Sequence, residues 1–291
     1  MNFYPPEKLK KIKSLESEPV VLKNVFTKQD IARLIDIERL AHQDRMVDRA
    51  DSRKTKIDWK SEVKEIIYEK LTKILGREIL IGDFPAHFIK NRYPLRIHAD
   101  MGKDPTLIPH KNILIPLYVH GAETTYTVLF KQRWHGESSL FSYEAEGEDS
   151  DHYFKDKRGN FIHIKDSKEL LDVLRKNLGK EVKYAGGIFK AQTETIEEIE
   201  SLLKQNRYSK RTNEHITNNN AFDKQLYEKF LTHQPYKDLT SLEIDKTIPW
   251  VPGDVILFDR TTIHCASNFL KEGVKEKMAI AMFTVWEDKN V

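Results

Sequence analysis

Apolar residues recur at helical spacing in two stretches of the first quarter of the chain. In the first stretch, Ile31, Leu34 and Ile35 form an apolar stripe, and Thr27 precedes this stripe with Asp30 three positions after it. A threonine followed three residues later by an acid is typical of a capping box, in which each side chain bonds the backbone N–H of the other residue. The pattern therefore predicts an amphipathic helix that begins after Thr27.

A second helix is predicted after Asp58, and Gly76 stands where a left-handed residue would end it. Its apolar positions share one helical face: they are Val63, Ile66, Ile67, Leu71 and Ile74. Both helices are expected to pack against a core and not to carry chemistry.

The pattern changes to short strands near residue 78, with turns of Gly, Pro and charged residues between them. Strands are predicted over residues 78–81, 86–91, 96–100, 113–119 and 125–130, and the β pattern returns at Ile248 with final strands over 255–258 and 277–286. Short strands punctuated in this way indicate an antiparallel sandwich or barrel-like fold. The sequence thus predicts a mainly β protein with flanking helices.

A long polar and charged segment separates the two β blocks. It covers residues 133–246 and contains three helix candidates, over 166–179, 195–205 and 222–232. We therefore expect one domain over residues 1–291, with an N-terminal helical part (1–77), a β core (78–132 and 247–291) and this insertion.

The net charge, the cysteine count and the lack of long apolar runs limit the kinds of partner and cellular setting that we expect. The 48 basic and 45 acidic residues leave a net charge of +3, which gives no electrostatic case for a nucleic-acid partner. The single cysteine excludes an intramolecular disulfide, and no apolar segment resembles a signal peptide, so a cytoplasmic setting is expected. No apolar run approaches the ~20 residues that span a bilayer.

Two residues of the predicted strand over 96–100 are candidate metal ligands. Residues two apart on a strand face the same side, so His98 and Asp100 point together while Ile97 and Ala99 face the other way. His264 is the candidate third ligand, because it follows the apolar run 255–258 at the point where a strand passes into a turn. Two imidazoles and one carboxylate are the ligand set that holds non-haem Fe(II) and leaves positions open.

His-x-Asp is a short pattern that often occurs by chance, so the prediction depends on the combination of features. The chain joins His98 and Asp100 on a strand to a Pro-Gly-Asp segment at 252–254, an apolar strand, His264 and then a cation, Lys277. Together these features predict a metal centre that binds an anion.

With these residues the chain resembles the Fe(II)/2-oxoglutarate-dependent dioxygenases, and within them the phytanoyl-CoA-dioxygenase-like proteins. The resemblance covers about residues 20–130 and 247–286 and leaves out the insertion. It implies a double-stranded β-helix, also called a jelly roll or cupin-like core, with iron held by His98, Asp100 and His264. It also implies 2-oxoglutarate as cosubstrate and O2 as oxidant.

The resemblance also implies a basic residue about a dozen positions after the distal histidine, bonded to the far carboxylate of 2-oxoglutarate. Lys277 matches this position, in a Lys277-Met278-Ala279 segment where the family commonly has Arg-x-Ser. Lys275 has the same strand parity and is the rival. Asn112, on the strand after the His-x-Asp turn, is a further candidate for the cosubstrate.

The activity that the resemblance implies is oxidation of an organic substrate, usually hydroxylation, with release of succinate and CO2. Related halogenases have a small residue at the carboxylate position, so Asp100 disfavours halogenation. The substrate is expected to be a small molecule or acyl group, with residues 133–246 as a lid over it. Two alternatives remain: a cupin-like metal-dependent isomerase and a jelly-roll binding protein without activity.

Overall fold

A computed structural model describes residues 3–41, 46–48, 52–59, 62–75, 80–81, 86–121, 124–143, 147–148, 152–159, 161–164, 167–205 and 210–287. The chain forms two compact units. The first comprises Met1–Ala145 and Thr212–Val291, and the second comprises Glu146–Arg211. None of the candidate site residues predicted from the sequence lies in the second unit.

The helices confirm the predicted helical segments. The helix that starts after Thr27 has the predicted capping box: the Asp30 N–H donates to Thr27 Oγ1 at 3.1 Å, and the Thr27 N–H donates to Asp30 Oδ2 at 2.8 Å. The helices are α1 (Pro6–Ser14), α2 (Lys28–Arg39), α3 (Lys70–Leu75), α4 (Ser167–Lys176), α5 (Thr193–Gln205) and α6 (Lys224–Leu226). A π-helical segment over Lys64–Glu69 precedes α3, another over Tyr227–Leu231 follows α6, and a 3-10 turn covers Tyr236–Leu239. Gly76 lies outside the described residues.

The predicted strands occur in the predicted order, with two differences at the site-bearing end. The part expected to be helical, residues 1–77, also contains three strands that were not predicted, over Val20–Leu22, Met46–Asp48 and Ser52–Lys56. The strand expected over 96–100 is paired only at His98–Ala99, and His264 lies inside a strand and not in a turn. The part of the chain before Leu80 that was expected to open the first strand is outside the described residues. The strands are β1 (Val20–Leu22), β2 (Met46–Asp48), β3 (Ser52–Lys56), β4 (Leu80–Ile81), β5 (His87–Asn91), β6 (His98–Ala99), β7 (Ile108–His120), β8 (Tyr126–Arg133), β9 (Ser139–Phe141), β10 (Gly147–Glu148), β11 (His152–Lys155), β12 (Phe161–Ile164), β13 (Glu181–Tyr184), β14 (Gly187–Lys190), β15 (Lys210–Thr212), β16 (Ile244–Pro249), β17 (Val255–Asp259), β18 (Thr262–Ala266) and β19 (Glu276–Trp286).

The first unit contains two large sheets of antiparallel pairs. One sheet has the order β1-β17-β7-β19-β5-β3-β2, with β4 paired to β19, and in the other β9, β6, β18, β8 and β16 are successive neighbours. In chain order, β5 to β8 alternate between the first and the second sheet; β16 then lies in the second, β17 in the first, β18 in the second and β19 in the first. This alternation brings β6 and β18 side by side, with His98 directly opposite His264.

The first unit has three apolar layers, and successive residues of a strand belong to different layers because they face opposite sides of the sheet. The layer between the two sheets contains Leu129 and Ile248 from the second sheet and Ile256, Phe258 and Ala279 from the first. The opposite face of the first sheet packs on the helices, and its members include Leu34, Ile67, Leu71, Ile113, Met278 and Ile280. The opposite face of the second sheet packs on other segments, and its members include Tyr4, Ile12, Ile97, Ala99, Val128, Ile263 and Cys265. The alternation therefore leaves His98, Asp100 and His264 on the side away from this last layer.

The second unit has an apolar core of its own, formed by two hairpins and two helices. Strand β11 pairs with β12 and β13 with β14, while α4 and α5 supply helical faces. Phe154, Leu170, Leu174 and Phe189 are among its buried residues. The hairpins were not predicted. Whether residues 133–246 act as a substrate lid stays a prediction. Among the residues that the structure describes, no helix has both the length and the apolar character needed to cross a bilayer.

Candidate metal centre

His98, Asp100 and His264 meet at one end of the space between the sheets. His264 Nε2 lies 3.3 Å from Asp100 Oδ2, and His98 Nε2 lies 3.8 Å from the same oxygen. The centroids of the two imidazole rings are 4.1 Å apart, and one donor atom from each of the three residues lies within 4.8 Å of the others. The structure thus brings together the three residues that the sequence predicted as ligands.

Backbone carbonyls fix the orientation of both imidazoles. His98 Nδ1 lies 2.6 Å from the carbonyl oxygen of Arg96, and His264 Nδ1 lies 2.9 Å from that of Thr262. A carbonyl only accepts hydrogen bonds, so each Nδ1 carries a proton, and in the neutral imidazole each Nε2 then keeps its lone pair. Both lone pairs are therefore available on the side of Asp100, which is the arrangement found in histidines that bind metals.

The charge state of the cluster also suits a cation. Burial, and after it the neighbouring His264, lower the pKa of His98 to about 4, so its imidazole is neutral at pH 7. Burial by itself would raise the pKa of Asp100, but His98, His264 and the Arg260 guanidinium bring it well below its usual range. Two neutral nitrogen donors and one carboxylate satisfy a divalent ion and leave about one positive charge on it.

Two further side chains contact Asp100. Asn112 Nδ2 donates to Asp100 Oδ2 at 3.2 Å, and Arg260 Nε donates to the backbone carbonyl of Asp100 at 2.6 Å. Asn112 therefore contacts a predicted metal ligand, and its buried Oδ1 has no hydrogen-bond partner among the described residues. Its predicted contact with a cosubstrate stays a prediction.

Lys277 lies in the layer between the sheets. It has the same strand parity as Ala279, which belongs to that layer, and its side chain is only 1% exposed. Its Nζ lies 3.7 Å from the centroid of the Trp250 ring, 5.1 Å from that of Phe269 and 3.4 Å from Thr125 Oγ1. Within the described ranges no carboxylate lies within 4 Å of this amine.

In the part of the chain that the structure describes, Lys277 has no anionic partner of the kind that a buried ammonium group needs. Burial lowers the pKa of Lys277 to about 7. An ammonium group has three donors, and the hydrogen bond to Thr125 uses only one of them. Because an isolated buried charge is costly, the charged form of Lys277 is best satisfied by an anion that enters from outside the chain.

Lys275, the rival of Lys277, has different surroundings. It is exposed, and it lines a surface pocket with Arg92, Tyr93, His120, Leu270 and Glu276. None of the three candidate ligands lines that pocket. The structure therefore places Lys277, and not Lys275, inside the protein.

Four residues of the site region were not predicted from the sequence. Arg260 stands between Asp259 and Thr261 in a polar turn, where a charged residue is usually solvated, and Thr125, Trp250 and Phe269 belong to three separate segments. The apolar strand after Lys277 did indicate a buried cation. No local pattern indicates which distant aromatic rings surround it.

No protein-family model matches the chain, and no curated protein matches it. Solved structures with a similar fold include an oxidoreductase of the 2OG-Fe(II) oxygenase family from Burkholderia pseudomallei, with 8% identity over 96% of this chain and 88% of that one and a TM-score of 0.40. HygX from Streptomyces hygroscopicus, solved with nickel and 2-oxoglutarate bound, has 11% identity over 99% and 91% of the two chains and a TM-score of 0.40. EvdO2 from Micromonospora carbonacea var. aurantiaca has 14% identity over 98% and 94% and a TM-score of 0.38. At this level of similarity, function has to be argued from the site itself.

Proposed function

We propose that this chain is an Fe(II)- and 2-oxoglutarate-dependent oxygenase. The observation that carries the proposal is the pairing of two features on the inter-sheet side. One is the His98, Asp100 and His264 cluster with both Nε2 atoms turned to the carboxylate, and the other is the buried Lys277 amine, which has no anionic partner among the described residues. A metal site that leaves positions open, together with a buried cation, suits an anion that chelates the metal at one end and bonds the cation at the other.

The strand order supports a jelly-roll core for this site. The eight strands β5 to β8 and β16 to β19 alternate between the two sheets, and each sheet receives four of them. We interpret these eight strands as the double-stranded β-helix, with residues 134–243 inserted between its fourth and fifth strands. The finer likeness to phytanoyl-CoA-dioxygenase-like proteins stays a prediction.

The residues of the chain have distinct tasks in this proposal. His98, Asp100 and His264 would hold the metal, and a set of three protein ligands would leave coordination positions for the cosubstrate and O2. Lys277 donates a charge-assisted hydrogen bond to the far carboxylate of 2-oxoglutarate, while the Trp250 and Phe269 rings exclude water from this contact. When bound, iron and 2-oxoglutarate supply an oxidative decarboxylation that yields succinate and CO2 and activates oxygen for attack on the substrate. Hydroxylation of an organic substrate is the outcome we propose.

Turnover of 2-oxoglutarate without any other substrate tests the proposed function. The purified protein is loaded with Fe(II) under ascorbate, and succinate and CO2 are measured in air and under nitrogen. We expect slow, oxygen-dependent formation of both products in equal amounts. Iron binding without any such turnover, even with a broad panel of added organic substrates, would favour the isomerase. Absence of both iron binding and turnover would favour a binding protein without activity.

The affinity for 2-oxoglutarate is expected to fall as pH rises through and above 7. Only protonated Lys277 bonds the far carboxylate, and its pKa in the free protein is lowered to about 7, so above this pH binding must also take up a proton. The dissociation constant then rises by up to about tenfold per pH unit until the pKa of the complex is reached. The pKa of His98, about 4, lies below the range of the experiment.

Anaerobic calorimetry with the Fe(II) protein at pH 6.5, 7.5 and 8.5 measures this dependence. Lys277→Arg is the matched variant, because a guanidinium stays protonated throughout and its profile should be flat. A dissociation constant of the unaltered protein that does not change over this range would contradict the role given to Lys277.

A further inference from the structure

Arg260 is among the largest side chains that the fold buries completely, with 1% exposure. It occupies the turn between β17 and β18, four residues before His264. Its Nε donates to the carbonyl oxygen of Asp100 at 2.6 Å, and its Nη1 donates to that of Thr284 at 3.2 Å. A buried guanidinium is costly unless its donors are satisfied in a defined geometry, so this arrangement indicates a specific task.

The position of Asp100 in the fold shows what that task is. Strand β6 ends at Ala99, so Asp100 follows the last paired residue of its strand. The carbonyl oxygen of Asp100 accepts a hydrogen bond from the Arg260 side chain, where a paired strand would supply a backbone N–H. Thr284 lies on β19, in the other sheet, so the Arg260 side chain bridges the two sheets at the end that carries the cluster. The backbone of Arg260 is fixed as well, since its N–H donates to the carbonyl of His110 at 3.1 Å.

We propose that Arg260 is a positioning residue for the metal carboxylate: through the Asp100 backbone it holds this carboxylate against the two histidine Nε2 atoms. The inference rests on the proposed metal site and adds a determinant of metal affinity outside the ligand set. The contact runs through the backbone, so Arg260 does not itself contact the metal or the reacting groups. Groups that orient metal ligands commonly contribute about 10- to 100-fold to metal affinity.

The positive charge of Arg260 should weaken metal binding, whereas its positioning of the carboxylate should strengthen it. The two effects can therefore be told apart by experiment. A guanidinium near a metal site repels a divalent cation, so its removal would tighten metal binding if charge were its only effect. Removal would weaken binding if the guanidinium positions the carboxylate. Arg260→Met removes both the charge and the hydrogen bonds. Arg260→Lys keeps the charge, but a single amine does not reproduce the planar fork that reaches two carbonyls.

The test is the Mn(II) affinity of each apo-protein, with the visible absorption of the Co(II) form as a report on ligand geometry. We expect Arg260→Met to weaken Mn(II) binding by about 10- to 100-fold and Arg260→Lys to weaken it in the same direction, with an altered Co(II) spectrum in both. Arg53→Met is the matched control. Arg53 is a half-buried arginine of β3 that bonds Glu38 at 2.7 Å and makes no contact with the three candidate ligands, so this variant should keep the Mn(II) affinity and the Co(II) spectrum.

Each outcome decides the proposal. If Arg260→Met does not fold, Arg260→Lys alone provides the test. Mn(II) affinity and a Co(II) spectrum equal to those of the unaltered protein in a folded Arg260 variant, or tighter binding in Arg260→Met, would overturn the positioning role and leave the proposed oxygenase function standing. If the unaltered protein binds no divalent metal, the proposed function fails first and the inference fails with it.

Discussion

Replacing Asp100 with alanine is expected to abolish metal binding and the formation of succinate. The carboxylate is the only anionic donor of the cluster, and its Oδ2 lies within 4 Å of both histidine Nε2 atoms. Without it, two imidazoles remain as the only donors of the cluster, and no anionic ligand offsets the charge of a divalent ion there. His264→Ala is expected to have the same result, because it leaves a single imidazole beside the carboxylate.

The measurement is made on metal-stripped protein reconstituted with Fe(II), with metal content and succinate determined on the same sample. His120→Ala is the matched control for the histidine, since His120 is exposed and lines the surface pocket apart from the cluster. This control should keep both metal and turnover. Unchanged turnover in either Asp100→Ala or His264→Ala would refute the ligand assignment.

Replacing Lys277 with methionine is expected to weaken 2-oxoglutarate binding strongly while it stabilises the protein without cosubstrate. Loss of one charge-assisted hydrogen bond costs about 1.5–3 kcal/mol, which corresponds to roughly a 10- to 150-fold higher dissociation constant. In the free protein the same amine is buried beside Trp250 with one long hydrogen bond, and its lowered pKa shows that burial disfavours its charged form. Methionine fills a similar volume without this penalty.

Two measurements on one variant therefore move in opposite directions. Calorimetry should show weaker 2-oxoglutarate binding, and thermal unfolding of the free protein should show a higher midpoint. Lys275→Met is the matched control, because Lys275 is exposed and lies just before β19, and it should change neither quantity. If Lys275→Met had the effect on 2-oxoglutarate and Lys277→Met had none, the cation would have been assigned to the wrong lysine.

Local patterns in the sequence predict those parts of the site that depend on alternation along a strand. Ile97 and Ala99 are buried in the apolar layer on one side of β6, which leaves His98 and Asp100 together on the other. The same rule holds on β18, where the neighbours of His264, Ile263 and Cys265, both belong to that layer. The face on which each side chain lies can therefore be predicted from the alternation within a single strand.

The parts that could not be predicted depend on contacts between distant segments. Arg260 bonds a carbonyl 160 positions away, and Lys277 lies against Trp250 and Phe269, which follow different strands. The hairpin between β13 and β14 was missed for a different reason. Its turn residues Ala185 and Gly186 have φ values of 47° and 84°, and a glycine in the sequence marks a turn without indicating that the polar segments on either side of it pair. Pairing of such strands depends on the small core behind them, in which Val182 and Phe189 are buried.

Residues 146–211 form a separate unit whose two ends lie close together in the first unit, so this segment could be replaced by another. The chain leaves this unit after Ala145 and re-enters it at Thr212, and the Ser142 N–H donates to the Thr212 carbonyl at 3.0 Å, so the two ends are already held together. Joining them needs only a short linker, whose closure costs little entropy, and every strand that carries a candidate ligand lies outside the excised segment. A segment of different length joined at this point would thus leave all three candidate ligands in the remaining chain, which makes it a suitable place for engineering.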